Sequence, residues 1–284
     1  MNVLALKRDP SLLLASLVGL LMVTSTSLSA SMNNQMAGFE ITNQAALDLF
    51  VANYYREPRI NQVSSAMVFL DNGSEIPIDN LFGGVVGFYG TVFRNSPERI
   101  SGWISVVEGL SERGQYLFFG ALWLANTPRT RGYLESKLVT AHGELKELLQ
   151  ALIQSQPPDI REMVPQNGVE GDMLWGGFLA TGDRIYVLNL LKATMQWVGK
   201  EGYEPFVKLN MGKWSLAANA QSHRVVRQVL EEQVNAYQGE ERETVQEILS
   251  KSYLPNGPDL IMEEAKRIIN EKQKGGVWLE FNEQ

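Results

Sequence analysis

Apolar residues recur along this chain at the spacing of helices, and strand-like alternation is scarce. Leu145, Leu148, Leu149, Leu152 and Ile153 fall at i, i+3, i+4, i+7 and i+8, while Glu144, Lys146 and Glu147 turn the other way. Val225, Val226, Val229 and Leu230 repeat the pattern, as do Leu260, Ile261, Ala265, Ile268 and Ile269. The stretch Ile185 to Val198 is apolar on most sides, which predicts a central helix. The chain therefore reads as all-α.

The breaks between these stretches carry helix-end chemistry. Ser96-Pro97 and Thr127-Pro128 each place a capping hydroxyl before a proline at the first helical position. In Thr181-Gly-Asp183, Gly182 can take the left-handed conformation that ends one helix and Asp183 can cap the next. Asp159 with Glu162 three residues later has the form of a capping box after Pro157-Pro158. These read as turns between antiparallel helices.

Weak echoes accompany the turns. Phe119-Gly-Ala-Leu-Trp-Leu-Ala125 resembles Trp175-Gly-Gly-Phe-Leu-Ala180, and Lys213-Trp-Ser-Leu-Ala217 is fainter. Leu49-Phe-Val-Ala52 and Tyr89-Gly-Thr-Val-Phe93 are candidate earlier copies. The spacing from Ala125 to Ala180 to Ala217 is 55 and then 37 residues, too irregular for an array of fixed period. The expected architecture is a set of stacked antiparallel helical hairpins, either a degenerate α-solenoid or a helical-repeat-like bundle. Longer breaks fall at 71–78, 154–171, 199–205 and 254–258. The second is rich in proline and glycine and marks a hinge inside one α-helical domain spanning 30–284. Residues 32–42 read as a loose lead-in, and Gly275 to Phe281 as an extended aromatic tail.

Ahead of the helices stands a different pattern. Lys7 and Arg8 precede an apolar stretch from Leu12 to Val23, followed by small polar residues through Ser31. A positive region, a short apolar region and a small-residue exit have the form of a secretory signal peptide, taken as residues 1–29. Cleavage after Ser29 or Ser31 puts small residues at −3 and −1, whereas cleavage after Ala30 would put Leu28 at −3. The alternative is an uncleaved anchor, but a spanning helix needs about 20 apolar residues. The expected location is therefore periplasmic or secreted. The chain has no cysteine, which removes disulfides, thiolate metal sites, cysteine nucleophiles and the usual lipid anchor. About 255 of the 284 residues would remain, enough for a core without cross-links. Removing Lys7, Arg8 and Asp9 from 25 basic and 32 acidic residues leaves 23 and 31, a net charge near −8. That balance disfavours nucleic acid and anionic membrane surfaces as partners. Leu81 to Phe93, the longest apolar stretch downstream, reads as a buried helix.

No catalytic constellation stands out. His142 and His223 are the only histidines, and neither has metal-ligand spacing, so both read as surface or cap residues. No Gly-x-Ser-x-Gly elbow supports a serine triad. Gly83-Gly84-Val-Val-Gly87-Phe-Tyr-Gly90 fits neither phosphate-binding pattern. Gly83, Gly87 and Gly90 share a helical face that would let a neighbouring helix approach closely. Met211-Gly212-Lys213 lacks the upstream glycine of a P-loop. Paired acids for glycan cleavage would have to come from Glu112 near Tyr116, or from Glu170 and Asp172 near Trp175. The simpler reading makes each a first-turn acid favoured by the helix dipole. The Gly-Leu-Met-Gln segment of helical lysozyme-like transglycosylases is missing. Trp103, Trp123, Trp175, Trp197 and Trp214 sit at core spacings, with Trp278 in the tail the exception.

The segment Leu174-Trp-Gly-Gly-Phe-Leu-Ala-Thr-Gly-Asp-Arg-Ile-Tyr186 resembles one found in uncharacterised exported α-helical proteins of Gram-negative bacteria. The likeness covers that segment alone. It implies a periplasmic or secreted helical protein with no assigned activity, and it brings no catalytic residues. The sequence thus points to a protein-binding or scaffolding module rather than an enzyme. No cofactor or metal is implied, and the expected partner is another protein. The alternatives are an envelope glycan-cleaving enzyme and a secreted effector.

Overall fold

The computed structural model describes residues 40–74, 76–250 and 257–274. The proposed signal segment 1–29, most of the lead-in, and the tail with Trp278 lie outside the described residues. Among the described residues the chain forms thirteen α-helices, two short 3-10 turns and no strand. It divides into two compact units, with the boundary between Asn189 and Leu190. The 154–171 segment lies within the first of them.

In the first unit, α1 (Gln44–Asn53) and α2 (Val63–Asn72) lead into α3 (Ile78–Asn95). Then come α4 (Ile100–Glu108), α5 (Glu112–Ala125), α6 (Pro128–Leu138), α7 (Gly143–Gln154) and α8 (Gly168–Thr181). Helix α9 (Arg184–Met195) carries the boundary. The central element is α3, buried almost continuously from Leu81 to Phe93, rather than the Ile185–Val198 stretch.

Contacts along α3 fix the direction of its neighbours. The Phe82 and Tyr116 rings lie 5.7 Å apart, and those of Tyr89 and Phe118 lie 5.0 Å apart. A Cβ on Gly120 would sit 2.6 Å from Val86, and one on Gly90 would sit 2.9 Å from Leu124. Residue numbers rise together on the two helices, so α3 and α5 run parallel. On the other side, a Cβ on Gly83 would sit 2.6 Å from the Val169 carbonyl, and one on Gly87 would overlap the Met173 carbonyl. Gly176 of α8 in turn faces the Gly84 carbonyl, where a Cβ would lie at 2.6 Å. α8 is therefore parallel to α3 as well, backbone against backbone.

The expected glycine face is real at Gly83 and Gly87, which both meet α8, while Gly90 meets α5. Three of the sequence echoes fall in these parallel helices: Tyr89–Phe93 in α3, Phe119–Ala125 in α5 and Trp175–Ala180 in α8. The most extensive packing in the unit thus joins parallel helices that are not chain neighbours. An aromatic cluster extends from the α3 crossing. Phe88 meets Phe50 of α1 and Tyr54, the residue after it, edge-on, and Phe93 stacks on Trp103 of α4 at 4.9 Å.

Local chemistry sets the helix ends. Gly182 adopts φ 71° and its N–H donates to the Phe178 carbonyl at 2.6 Å. Asp183 Oδ1 then accepts from Ile185 N at 3.1 Å, as the sequence leads one to expect. Thr127 and Thr130 form a reciprocal capping box behind Pro128. Two expected caps take another form. Ser96 makes no side-chain cap and opens a 3-10 turn, Pro97–Arg99, before α4. Asp159 and Glu162 build a turn rather than a helix start, with Arg161 N donating to Asp159 Oδ1 at 3.0 Å. Pro165 follows too closely for a helix to grow there.

The second unit contains the end of α9 with α10 (Tyr203–Ser222), α11 (Arg224–Gln233), α12 (Gly239–Ser250) and α13 (Gly257–Lys274). α10 is the hub, packing on α11, α12 and α13. Its Gly212 lies against Thr194, its Trp214 ring against Gly257, and Lys213 pairs with Glu247 of α12. The periodic residues Val226, Val229, Leu230 and Ala265 are buried as expected, whereas Leu260 of the same pattern is exposed.

Candidate functional site

The sequence-derived candidates are dispersed, and most have structural work. Glu170 is the third residue of α8. Its N–H donates to Asn167 Oδ1 at 3.0 Å, and its carboxylate accepts from Gln166 N at 2.7 Å, so it completes a cap. Asp172 is buried two positions beyond, at the crossing with Gly83. Glu112 is exposed in the first turn of α5. Asp79, Glu112 and Glu170 thus stand at the first turns of α3, α5 and α8, which face one way. Their negative charge offsets the positive ends of the three dipoles, so this end of the unit is no anion cradle.

His142 is exposed ahead of α7, and His223 is buried between α10 and α11. No group of three metal-binding side chains occurs among the described residues. Met211-Gly212-Lys213 lies inside continuous helix, which excludes the loop that a phosphate cradle requires. Trp103 and Trp175 are core residues. The half-buried Trp197 carries the Lys200 and Lys208 ammonium groups 4.7 and 4.5 Å from its ring centre, so the ring is not an open sugar platform.

Two buried acids escaped the sequence reading. Asp71 accepts from Ser111 N at 2.9 Å and from the Ser111 hydroxyl, tying the end of α2 to the start of α5. Asp48 on α1 accepts from Gln44 Nε2 at 2.7 Å, and burial pushes its carboxyl up to about 6. Both are single acids, where glycan cleavage needs a facing pair.

A groove of about 430 Å³ is built by α5, α6 and α7 within the first unit. Its shape follows from three local events. Asn126 takes the left-handed conformation at φ 51° and ends α5, and the Thr127–Thr130 box starts α6 two residues later. The short turn holds α6 beside the end of α5. Helix α7 ends at Gln154, where Pro157 follows, and Ser155 continues in an extended conformation. Trp123 Nε1 donates to the Ser155 carbonyl at 3.3 Å and pins this segment across the floor.

The groove is amphipathic. Leu122, Trp123, Leu134 and Leu152 form a mostly buried floor. Arg131, Glu135, Gln154 and Gln156 are exposed along the walls. Arg131 is held by Asn126 Oδ1 at 2.6 Å. Glu135 lies one turn further along α6, yet no ion pair joins it to Arg131. The side chains of Glu135, Gln154 and Gln156 make no hydrogen bond or ion pair with the described residues. The volume falls in the range of about 300–1,000 Å³ typical of ligand sites. Sequence reading registered the 154–171 break here but could not see that α6 lies alongside it.

Among the described residues the molecule is all-helical, with a groove lined by α5, α6 and α7. No family model, curated protein or solved structure matches the chain. No helix among the described residues is long and apolar enough to cross a membrane.

Proposed function

We propose that this chain is an exported protein-binding module whose recognition surface includes the groove of α5, α6 and α7. The carrying observation is the set of unengaged polar side chains, Glu135, Gln154 and Gln156, gathered over a Trp123-centred floor. Side chains that fold without partners but share one concavity are suited to recognition from outside. Export is supported by the charged, apolar and small-residue sequence of residues 7–31 and by the likeness of Leu174–Tyr186 to exported helical proteins. In the finer architecture, we read the first unit as a compact bundle. A solenoid would set successive helix pairs side by side in chain order, whereas here α3 lies between α5 and α8.

A photo-crosslinking amino acid in place of Gln156, in cells producing the full chain, tests the binding role. A discrete adduct with another protein, absent when the crosslinker replaces Glu243 on α12, is the expected result. Identical adducts from both positions, or none, would sink it. Mass spectrometry of the N-terminus tests export: a start at residue 30 or 32 fits, and an intact Met1 does not.

A further inference from the structure

We propose that the groove holds an extended polypeptide segment bearing a lysine or arginine, with Gln154 and Gln156 meeting its backbone and Glu135 meeting its cation. This inference rests on the binding-module reading and specifies its ligand. A primary amide presents a donor and an acceptor side by side, the complement of a peptide group. Two such amides, neither engaged within the described chain, flank the extended Ser155 in one groove. The backbone of an incoming helix could not use them, because its own N–H and C=O groups are already bonded to each other. An extended segment can.

The sign of the ligand follows from which charges are already answered. At the end of α5, Arg94 Nη2 donates to the Leu124 carbonyl at 2.5 Å, and Arg131 is held at Asn126. That helix end is compensated. The end of α7 has no basic residue in its last turn, and its partial negative charge faces the groove that Glu135 also lines. Glu135 itself has no counter-ion among the described residues. Arg131, the one cation of the groove lining, sits against Asn126 at the end of α5, so Glu135 and the α7 end leave the rest of the groove negative, and the net charge of −7 adds a long-range attraction for basic segments. A glycan is a poorer fit, because Trp123 is only 8% exposed and its N–H is spent on Ser155.

The test is panning of a phage-displayed random heptapeptide library on the full chain, with two variants of equal charge change. Glu135→Gln alters the groove, and Glu243→Gln alters an exposed acid outside it. The expected result is a consensus with lysine or arginine at one position. A labelled synthetic copy should lose about tenfold in affinity on Glu135→Gln, and less than about twofold on Glu243→Gln. Unchanged thermal melting of Glu135→Gln would show that the loss is not unfolding. No enrichment, an acidic or uncharged consensus, or equal losses on both variants would overturn the inference. If the Gln156 crosslink still captures a partner while the selected peptides lack a basic residue, this ligand assignment fails alone. If the crosslink captures nothing, the binding-module reading fails first.

Discussion

Replacing Gly87 by alanine should destabilise this protein, while the same change at Gly132 should stabilise it. Both glycines are inside α-helices, α3 and α6. In an open helix position the exchange gains up to about 1 kcal/mol from backbone entropy. At Gly132 a Cβ meets nothing within 4 Å, so that gain is realised. At Gly87 the new Cβ overlaps the Met173 carbonyl, which is backbone and cannot rotate away. The milder neighbour Gly83 sets a scale: its Cβ would lie 2.6 Å from Val169 O, where ordinary contact begins at 3.4 Å, so the backbones must part by about 0.8 Å. A gap of about 0.5–1 Å forfeits a quarter to a half of each dispersion contact along the interface. Overpacking of this kind costs about 3 kcal/mol at the upper end of its usual range. Subtracting the helix gain leaves about 2 kcal/mol lost, or a melting temperature lower by about 4–8 °C. Urea and thermal unfolding followed by far-ultraviolet circular dichroism would measure both variants. Equal stabilisation by the two substitutions would refute the close parallel packing of α3 and α8.

Other outcomes follow from buried polar groups. Asp48 titrates higher in the folded chain than in the unfolded one, so it weakens the fold once ionised and does so through the interval from about pH 4 to pH 6. Asp48→Asn should therefore match the parent near pH 4 and exceed it at pH 8 by up to about 3 kcal/mol; equal urea midpoints at pH 8 would contradict this. Asp71→Ala removes the acceptor for Ser111 N–H and hydroxyl, and should cost about 2–3 kcal/mol in the same assay. Tyr89 is buried with a hydroxyl that bonds to no group among the described residues, so Tyr89→Phe should be neutral or stabilise by about 1 kcal/mol. A loss above that size would show that the hydroxyl has a partner.

What could be read from the sequence was chiefly what depends on a few consecutive residues. The Thr127–Pro128 start and the Gly182 stop are local chemistry, and they formed as expected. The apolar face of α7 followed from its period, with Leu148, Leu149 and Leu152 buried. Periodicity names a face but not the partner that covers it, so the parallel seating of α5 and α8 on α3 was hidden. The glycine face implied a close neighbour without saying that Gly90 meets a different helix from Gly83 and Gly87. The Asp159–Glu162 box misled because a capping signature needs a helix to follow, and Pro165 forbids one. Asp48 has a faint signal in Ala45-Ala-Leu-Asp-Leu-Phe50, an acid flanked by apolar residues, yet an isolated acid usually faces water. The groove was illegible because Gln154 comes beside Arg131 and Glu135 only when α6 packs beside the end of α7.

A crystal structure of the chain with a peptide from the panning experiment tests the central claim most directly. The account predicts an extended peptide along Ser155–Pro157, its backbone bonded to Gln154 and Gln156 and its lysine or arginine within hydrogen-bond distance of Glu135. A peptide seated elsewhere, or one whose basic side chain points away from Glu135 into solvent, would contradict it.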